Sequence, residues 1–293
     1  MNKPASHVVI IGCGYIGRQL AEKYRQDQIA VTGLVRTAES AASLQKLGIE
    51  SRVIDLSSPV ETDINFQDSL LFHFAPPPSS GTSDTNTRHL LQAFTGSGQM
   101  PQRIVYISTT GVYGNCEGRW IDENEPLKPD ADRAKRRHDA EQQLIAFGKN
   151  CGVDIVILRV AGIYGPGKLP IKRLQQNLPV IRQEEAPFTN RIHAYDLVNI
   201  ARQAMRIGKA GEIYNVSDGH PSTMTEYFNT VADKAGLPRP PQISLAEGEQ
   251  QLSAGMMSYM KESRRLKNEK LLNQLKLELL FPSLTSGIEN CGL

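Results

Sequence analysis

The sequence predicts an α/β chain organised around a doubly wound parallel sheet. Three observations carry that expectation. An apolar tetrad runs straight into spaced glycines at residues 8–17, further apolar runs alternate with helical patterns up to residue 165, and that alternation stops past Gly167. Strands alternating with helices of this length form a parallel sheet covered on both faces. With 293 residues the chain can hold one large or two smaller domains. The change of rhythm divides it into residues 1–165, the sheet domain, and residues 166–293, a smaller C-terminal region.

Each element has a local reason. Val8 to Ile11 are four apolar residues in a row, a strand buried on both faces. Gly12, Gly14 and Gly17 follow in the G-x-G-x-x-G spacing and lead into the helical stretch 18–23. The first glycine makes the strand-to-helix turn, the second lets a pyrophosphate approach the backbone, and the third lets helix and strand pack closely. The helix N-terminus then offers N–H groups and a positive dipole end to phosphates. Strand before and helix after are the context that gives the spacing meaning, and they predict a dinucleotide site over Gly12, Gly14, Tyr15, Ile16 and Gly17. Cys13 inside this loop is expected as a small buried side chain.

The second strand, Ile29 to Val35, ends at Arg36, 19 positions beyond Gly17, and no Asp or Glu occurs from Val31 to Ala38. A carboxylate at this place reads the ribose of NAD, whereas a guanidinium suits a 2′-phosphate through charge-assisted bonds. The sequence therefore favours NADP over NAD. A helix over 39–47 is closed by Gly48, and strands follow at 51–54 and at 69–74. Pro76, Pro77 and Pro78 then force the chain out of the sheet. Residues 79–85 are expected as a mobile polar loop before a helix over 87–94. His73 is expected as a strand residue packed on a helix. The fifth strand, 103–107, delivers Ser108 and Thr109 to the C-terminal sheet edge, where open α/β sheets bind ligands. A charged helix over 130–147 and a strand over 154–159 come next. Farther on, Thr223 to Glu226 has the form of a capping box, and 263–277 is expected as one basic, solvated amphipathic helix.

Composition narrows the function. Basic and acidic residues nearly balance, 33 against 31, so nothing points to nucleic acid or to an anionic membrane. Cys13, Cys116, Cys151 and Cys291 are scattered without a C-x-x-C pair, which fits a reducing compartment and supplies no metal-ligand spacing. No apolar run approaches a membrane span, and the stretch before the first strand is too short for a signal peptide. A cytoplasmic protein with a small-molecule substrate and no metal is expected, with a homodimer as the assembly to be tested.

Several motifs together resemble the extended branch of the short-chain dehydrogenase/reductase superfamily, the nucleotide-sugar epimerase and dehydratase type. They are GCGYIG near the start, Asp55-Leu56, His73-Phe74-Ala75, YISTTGVYG (106–114), LRVAGIYGPG (158–167), RIHAYDL (191–197) and GEIYNVSDG (211–219). The resemblance implies a Rossmann sheet domain interleaved with a smaller substrate-binding lid region. It places Asp55 and Leu56 beside the adenine, and Phe74, Ala75 and Pro76 along the nicotinamide half. Enzymes of this family use a Ser/Thr and a Tyr-x-x-x-Lys pair on the following helix. Thr109 matches the first, but Arg133 stands at the tyrosine position and Arg137 at the lysine position, and no tyrosine occurs between Tyr113 and Tyr164. Arginine stays protonated and is no base near neutral pH. Arg133 is suited to holding an anion or orienting a carbonyl, and Arg137 to bonding the ribose.

The substrate side departs as well. Gly162 stands where the family has an asparagine, and Thr189 where it has a diphosphate-clamping arginine, with Arg191 two residues on. Two functions remain open at this point. One is an NADP-dependent oxidoreductase or epimerase/dehydratase-like enzyme with an atypical active site, in which Thr109 orients a substrate oxygen and Tyr113 or Tyr164 moves the proton. The other is a non-catalytic dinucleotide-binding sensor.

Overall fold

The computed structural model describes residues 7–60 and 63–292. The expectation about a signal peptide falls on residues 1–6, outside the described residues. The elements run β1 (Val8–Ile11), α1 (Tyr15–Gln26), β2 (Val31–Val35), α2 (Ala38–Lys46), β3 (Glu50–Val53), β4 (Leu70–His73), α3 (Thr85–Ser97), β5 (Arg103–Thr109), α4 (Asp132–Cys151), β6 (Asp154–Val160), α5 (Ala194–Ile207), β7 (Ile213–Val216) and α6 (Met224–Lys234), with short strands and helices between and after them.

The seven strands form one parallel sheet in the order β7-β6-β5-β4-β1-β2-β3. This is the doubly wound arrangement expected from the sequence. The register pairs Val8 with both Val31 and Leu70, so the apolar tetrad is the middle of the sheet and all four of its residues are fully buried. Strand order reverses between β1 and β4, and that switch point is where such sheets bind ligands. Ile11 aligns with Leu34 and His73, Val35 with Val53, and His73 with Tyr106. Five strand ends therefore open on one edge. Beneath them Val9, Ile11, Leu71, Ile104 and Tyr106 pack against Leu90 and Phe94 of α3 and Leu144 and Phe147 of α4. Full burial of side chains this size stabilises by about 1.5–3 kcal/mol each.

The chain forms two compact units. The first comprises residues up to Thr109, Asp132–Arg159 and Val198–Ile213; the second comprises Thr110–Ala131, Val160–Leu197 and Tyr214 onward. Within the second unit, Tyr164, Leu174, Val180, Phe228 and Val231 pack with Leu284 and Ile288. Thr223 caps α6, its hydroxyl accepting from the Glu226 N–H at 3.0 Å.

One expectation is corrected. Residues 263–277 are not one helix. Arg264 is buried and donates to Glu262 at 2.7 Å and to the Gly114 carbonyl at 2.5 Å, while Arg265–Leu266 pairs in parallel with Trp120–Ile121. Only Glu269–Leu275 is helical, because a buried ion pair and strand pairing override the local amphipathic period. Residues 79–83 are exposed, and the loop is held at two points. Arg136 donates to the Gly81 carbonyl at 2.5 Å, Asp139 accepts from the Asp84 N–H at 2.7 Å, and Asp84 is buried as the cap of α3.

Candidate functional site

The glycine loop separates into three physical roles. Gly12 has φ +80°, and a Cβ there would strike the backbone of Ala75, with its Cα at 2.6 Å. A Cβ at Gly17 would sit 3.0 Å from Ile10 Cγ2, so this glycine seats α1 on β1. Gly14 is different: a Cβ there meets only the Gly12 carbonyl, at 4.0 Å. Packing gives no reason for glycine at 14. The position opens onto the start of α1, which has no side-chain cap and no acidic residue in its first turn. Orphan N–H groups, a positive dipole end and a flat approach form a cradle that fits a pyrophosphate. Cys13 is buried beside Gly33, where a Cβ would lie 2.9 Å from its Sγ, and burial pushes the thiol up to about 12. It packs the loop onto β2.

The other residues expected around the cofactor lie on the same edge of the first unit. The Gly12 and Cys13 N–H groups both donate to Leu34 O, which brings the end of β2 alongside the loop. Arg36 follows directly and is exposed. Asp55 is exposed past the end of β3. Its carboxyl is held below the usual range by hydrogen bonds from Ser57, the backbone one at 2.9 Å, with Arg36 adding to the effect. Leu56 is buried, and its carbonyl accepts from His89 Nδ1 at 2.8 Å. The Phe74 N–H donates to Ile11 O at 2.8 Å, Ala75 lies against Gly12, and the Pro76 carbonyl accepts from Asn86 at 3.1 Å. Tyr15 and Ile16 begin α1.

At the end of β5, Thr109 is half-buried. Arg133 and Arg137 lie one turn apart on α4 and so share a face. Arg137 Nη1 donates to Ile107 O at 2.8 Å and to the Tyr106 hydroxyl at 3.1 Å, which fixes its guanidinium at the tip of the strand. Below this lies a network that the sequence did not announce. Glu141 is fully buried; it accepts from the Ser108 hydroxyl at 2.5 Å and from Arg159 Nη2 at 2.8 Å and Nε at 3.2 Å. The only local signal was an acidic residue on the apolar side of α4, four positions past Arg137. His73 faces α3 as expected. Its Nε2 meets Thr87 Oγ1 at 2.9 Å, and that hydroxyl donates to Asp84 at 3.0 Å. Burial first and Arg137 second push the imidazole down to about 3, so it is neutral.

In the second unit, Tyr113 is 1 % exposed and donates to Asn215 Oδ1 at 2.7 Å. Tyr164 is 0 % exposed and donates to Ser283 O at 3.2 Å, pressed by Gly287, and burial pushes its hydroxyl upward. Thr189 pairs with Ser222 in a short antiparallel ladder. Arg191 is buried, its guanidinium 4.1 Å from the centre of the Tyr227 ring and Nη2 3.2 Å from Met224 Sδ. A Cβ at Gly162 would lie 2.5 Å from Arg191 Nη1. The glycine at 162 and the arginine at 191 are thus one structural solution: the missing side chain leaves room for the guanidinium. His138 is half-buried on α4 with a buried Nδ1.

Residues 8–217 match the family model described as the NAD dependent epimerase/dehydratase family. The chain belongs to that family. Its membership accounts for the strand order and for the motif series from GCGYIG to GEIYNVSDG. Protein YeeZ of Escherichia coli K12 is 26% identical over 288 residues, covering 94% of this chain and 96% of that protein. A conserved protein of Silicibacter pomeroyi, described as functionally unknown, superimposes with a TM-score of 0.84 at 26% identity over 97% of both chains. UDP-glucuronic acid 4-epimerase of Bacillus cereus, solved in complex with NAD, gives a TM-score of 0.77 at 18% identity over 97% of this chain and 95% of that one, which is a likeness of fold. Among the described residues no helix is long and apolar enough to cross a membrane, and no group of three or more His, Cys, Asp or Glu is placed to hold a metal.

Proposed function

We propose that this chain binds NADP and acts as an oxidoreductase or epimerase/dehydratase-like enzyme whose active site works without a Tyr-x-x-x-Lys pair. The observation that carries it is the pairing of an open Gly14 cradle with Arg36, an exposed guanidinium at the end of the strand beside it. Pyrophosphate would lie over Gly14, adenine toward Asp55 and Leu56, and nicotinamide toward Phe74, Ala75 and Pro76. The cofactor supplies hydride chemistry when bound. Thr109 would orient a substrate oxygen from the end of β5, and Arg137 would hold negative charge or a ribose hydroxyl. Tyr113 and Tyr164 are the tyrosines offered for proton transfer, yet both hydroxyls are engaged in buried hydrogen bonds.

That engagement favours a second reading, a dinucleotide-binding sensor without turnover. Titration by calorimetry with NADPH and NADH, followed by a carbonyl and alcohol panel, separates the two. NADPH should bind at least about tenfold more tightly than NADH, and Arg36→Ala should remove the difference by deleting the guanidinium–phosphate contact. Equal affinities, unchanged by Arg36→Ala, would overturn the NADP assignment. Binding without turnover of any member of the panel would favour the sensor. Turnover that survives Tyr113→Phe and Tyr164→Phe would remove both tyrosines from the chemistry.

A further inference from the structure

Two arginines in the second turn of α4, Arg136 and Arg137, have no carboxylate in ion-pair contact among the described residues, although the Asp84 charge acts on Arg137 from farther off. Arg136 is 7 % exposed, its Nη1 is used on the Gly81 carbonyl, and its Nε is buried without an acceptor. Arg137 spends Nη1 on Ile107 O and the Tyr106 hydroxyl. A guanidinium has five N–H donors, so both keep donors that no protein group takes. Among the described residues neither has a carboxylate within ion-pair distance. The acids nearby are committed elsewhere. Asp84 holds Thr87, Asp139 holds the Asp84 N–H and Gln143, and Glu141 holds Arg159 and Ser108. Burying a charge without a partner is unfavourable, and basic side chains in the opening turns of a helix oppose its dipole. A fold that needed only packing here would be served better by neutral side chains.

The anchoring bonds say where the two cations are held. Ile107 lies two residues before Thr109 on β5, and Gly81 lies in the loop that leaves β4 through Pro76. Arg137 is thus tied to β5 near its end, on the edge where open sheets bind ligands, and Arg136 to the loop between β4 and α3. Arg133 shares their side of the helix, three and four positions back.

We infer that these arginines receive the anionic group of the small-molecule substrate, a carboxylate or a phosphate, beside Thr109. The inference rests on the cofactor reading above only in placing that group next to the nicotinamide. The oxyanion accepts from the planar fork of Arg137 and from the donors of Arg136, and it supplies the direct ion-pair contact that both lack. The substrate class is then a carboxylated or phosphorylated carbonyl or alcohol rather than a neutral one.

The test is calorimetric titration of the full chain with malonate, inorganic phosphate and neutral glycerol, alone and in saturating NADPH. Cofactor-saturated protein is included because phosphate also suits the glycine loop. One equivalent of malonate or phosphate should bind and glycerol should not, and whichever anion binds more tightly identifies the carboxylate or phosphate class. Arg137→Met should weaken that binding at least tenfold; should Arg136→Met fail to fold, Arg137→Met decides alone. Absence of anion binding, or binding unchanged in Arg137→Met, overturns the site. NADPH binding without anion binding sinks this inference alone, and anion binding lost in Arg137→Met without any NADPH binding sinks the cofactor reading alone.

Discussion

Removing Glu141 should be among the most damaging single changes in the first unit. Its carboxylate is fully buried and joins three elements: Ser108 at the end of β5, Arg159 in β6, and α4 itself. Glu141→Ala leaves the Arg159 guanidinium, 3 % exposed, without the carboxylate that faces it through Nη2 and Nε. Breaking a buried pair from one side costs about 3–5 kcal/mol. The stranded Ser108 hydroxyl adds about 1 kcal/mol. A loss of about 4–6 kcal/mol takes much of the roughly 5–15 kcal/mol that holds a folded protein together. The assay is urea unfolding, read as a fall in midpoint at unchanged slope. Replacing both partners by apolar residues, Glu141→Leu with Arg159→Met, removes the stranded charge and should recover stability to within about 2 kcal/mol of the parent. A Glu141→Ala cost below about 1 kcal/mol, or a double variant no better than the single, would refute the view that this pair ties α4 to the strand ends.

Gly14→Ala should fold normally, since its methyl meets nothing nearer than the Gly12 carbonyl at 4.0 Å, yet lose NADPH affinity at least about tenfold in a fluorescence titration. Gly12→Ala should instead lower the thermal midpoint, because φ is +80° and Ala75 blocks the methyl. Burial raises Asp218 from 3.8 to about 6 against the opposing His220 N–H bond and Arg191. The unfolded chain then releases its proton first, so stability is fully present below about pH 4 and falls, by up to about 3 kcal/mol, as pH rises to 6. Asp218→Asn should flatten that slope in denaturation measured from pH 4 to 7, and a slope kept in the variant would assign it elsewhere. Gly162→Ala should destabilise by about 1–3 kcal/mol in urea by displacing the Arg191 guanidinium, and a neutral result would separate the two positions.

What was legible in the sequence was local. Val8 to Ile11 had to be an interior strand, and Gly12, Gly14 and Gly17 had to turn into a helix, because backbone sterics and apolar burial act within a few residues. Thr109 was placed at a strand end by the same means. Residues 263–277 misled because their amphipathic period competes with a partner strand at Trp120, far away in sequence. The two bonds that hold the loop at 79–85 were not legible because Arg136 and Asp139 sit on a helix that begins some fifty residues later.

The sequence by itself determined the sheet, the glycine turn and the charge at Arg36, since each depends on neighbours in the chain. Tertiary structure alone decided that Tyr113 and Tyr164 bury their hydroxyls, that Gly162 makes room for Arg191, and that Glu141 binds Ser108 and Arg159. Those outcomes depend on which strand ends lie side by side, and a side chain's partners are fixed only once the sheet order has brought distant segments into contact.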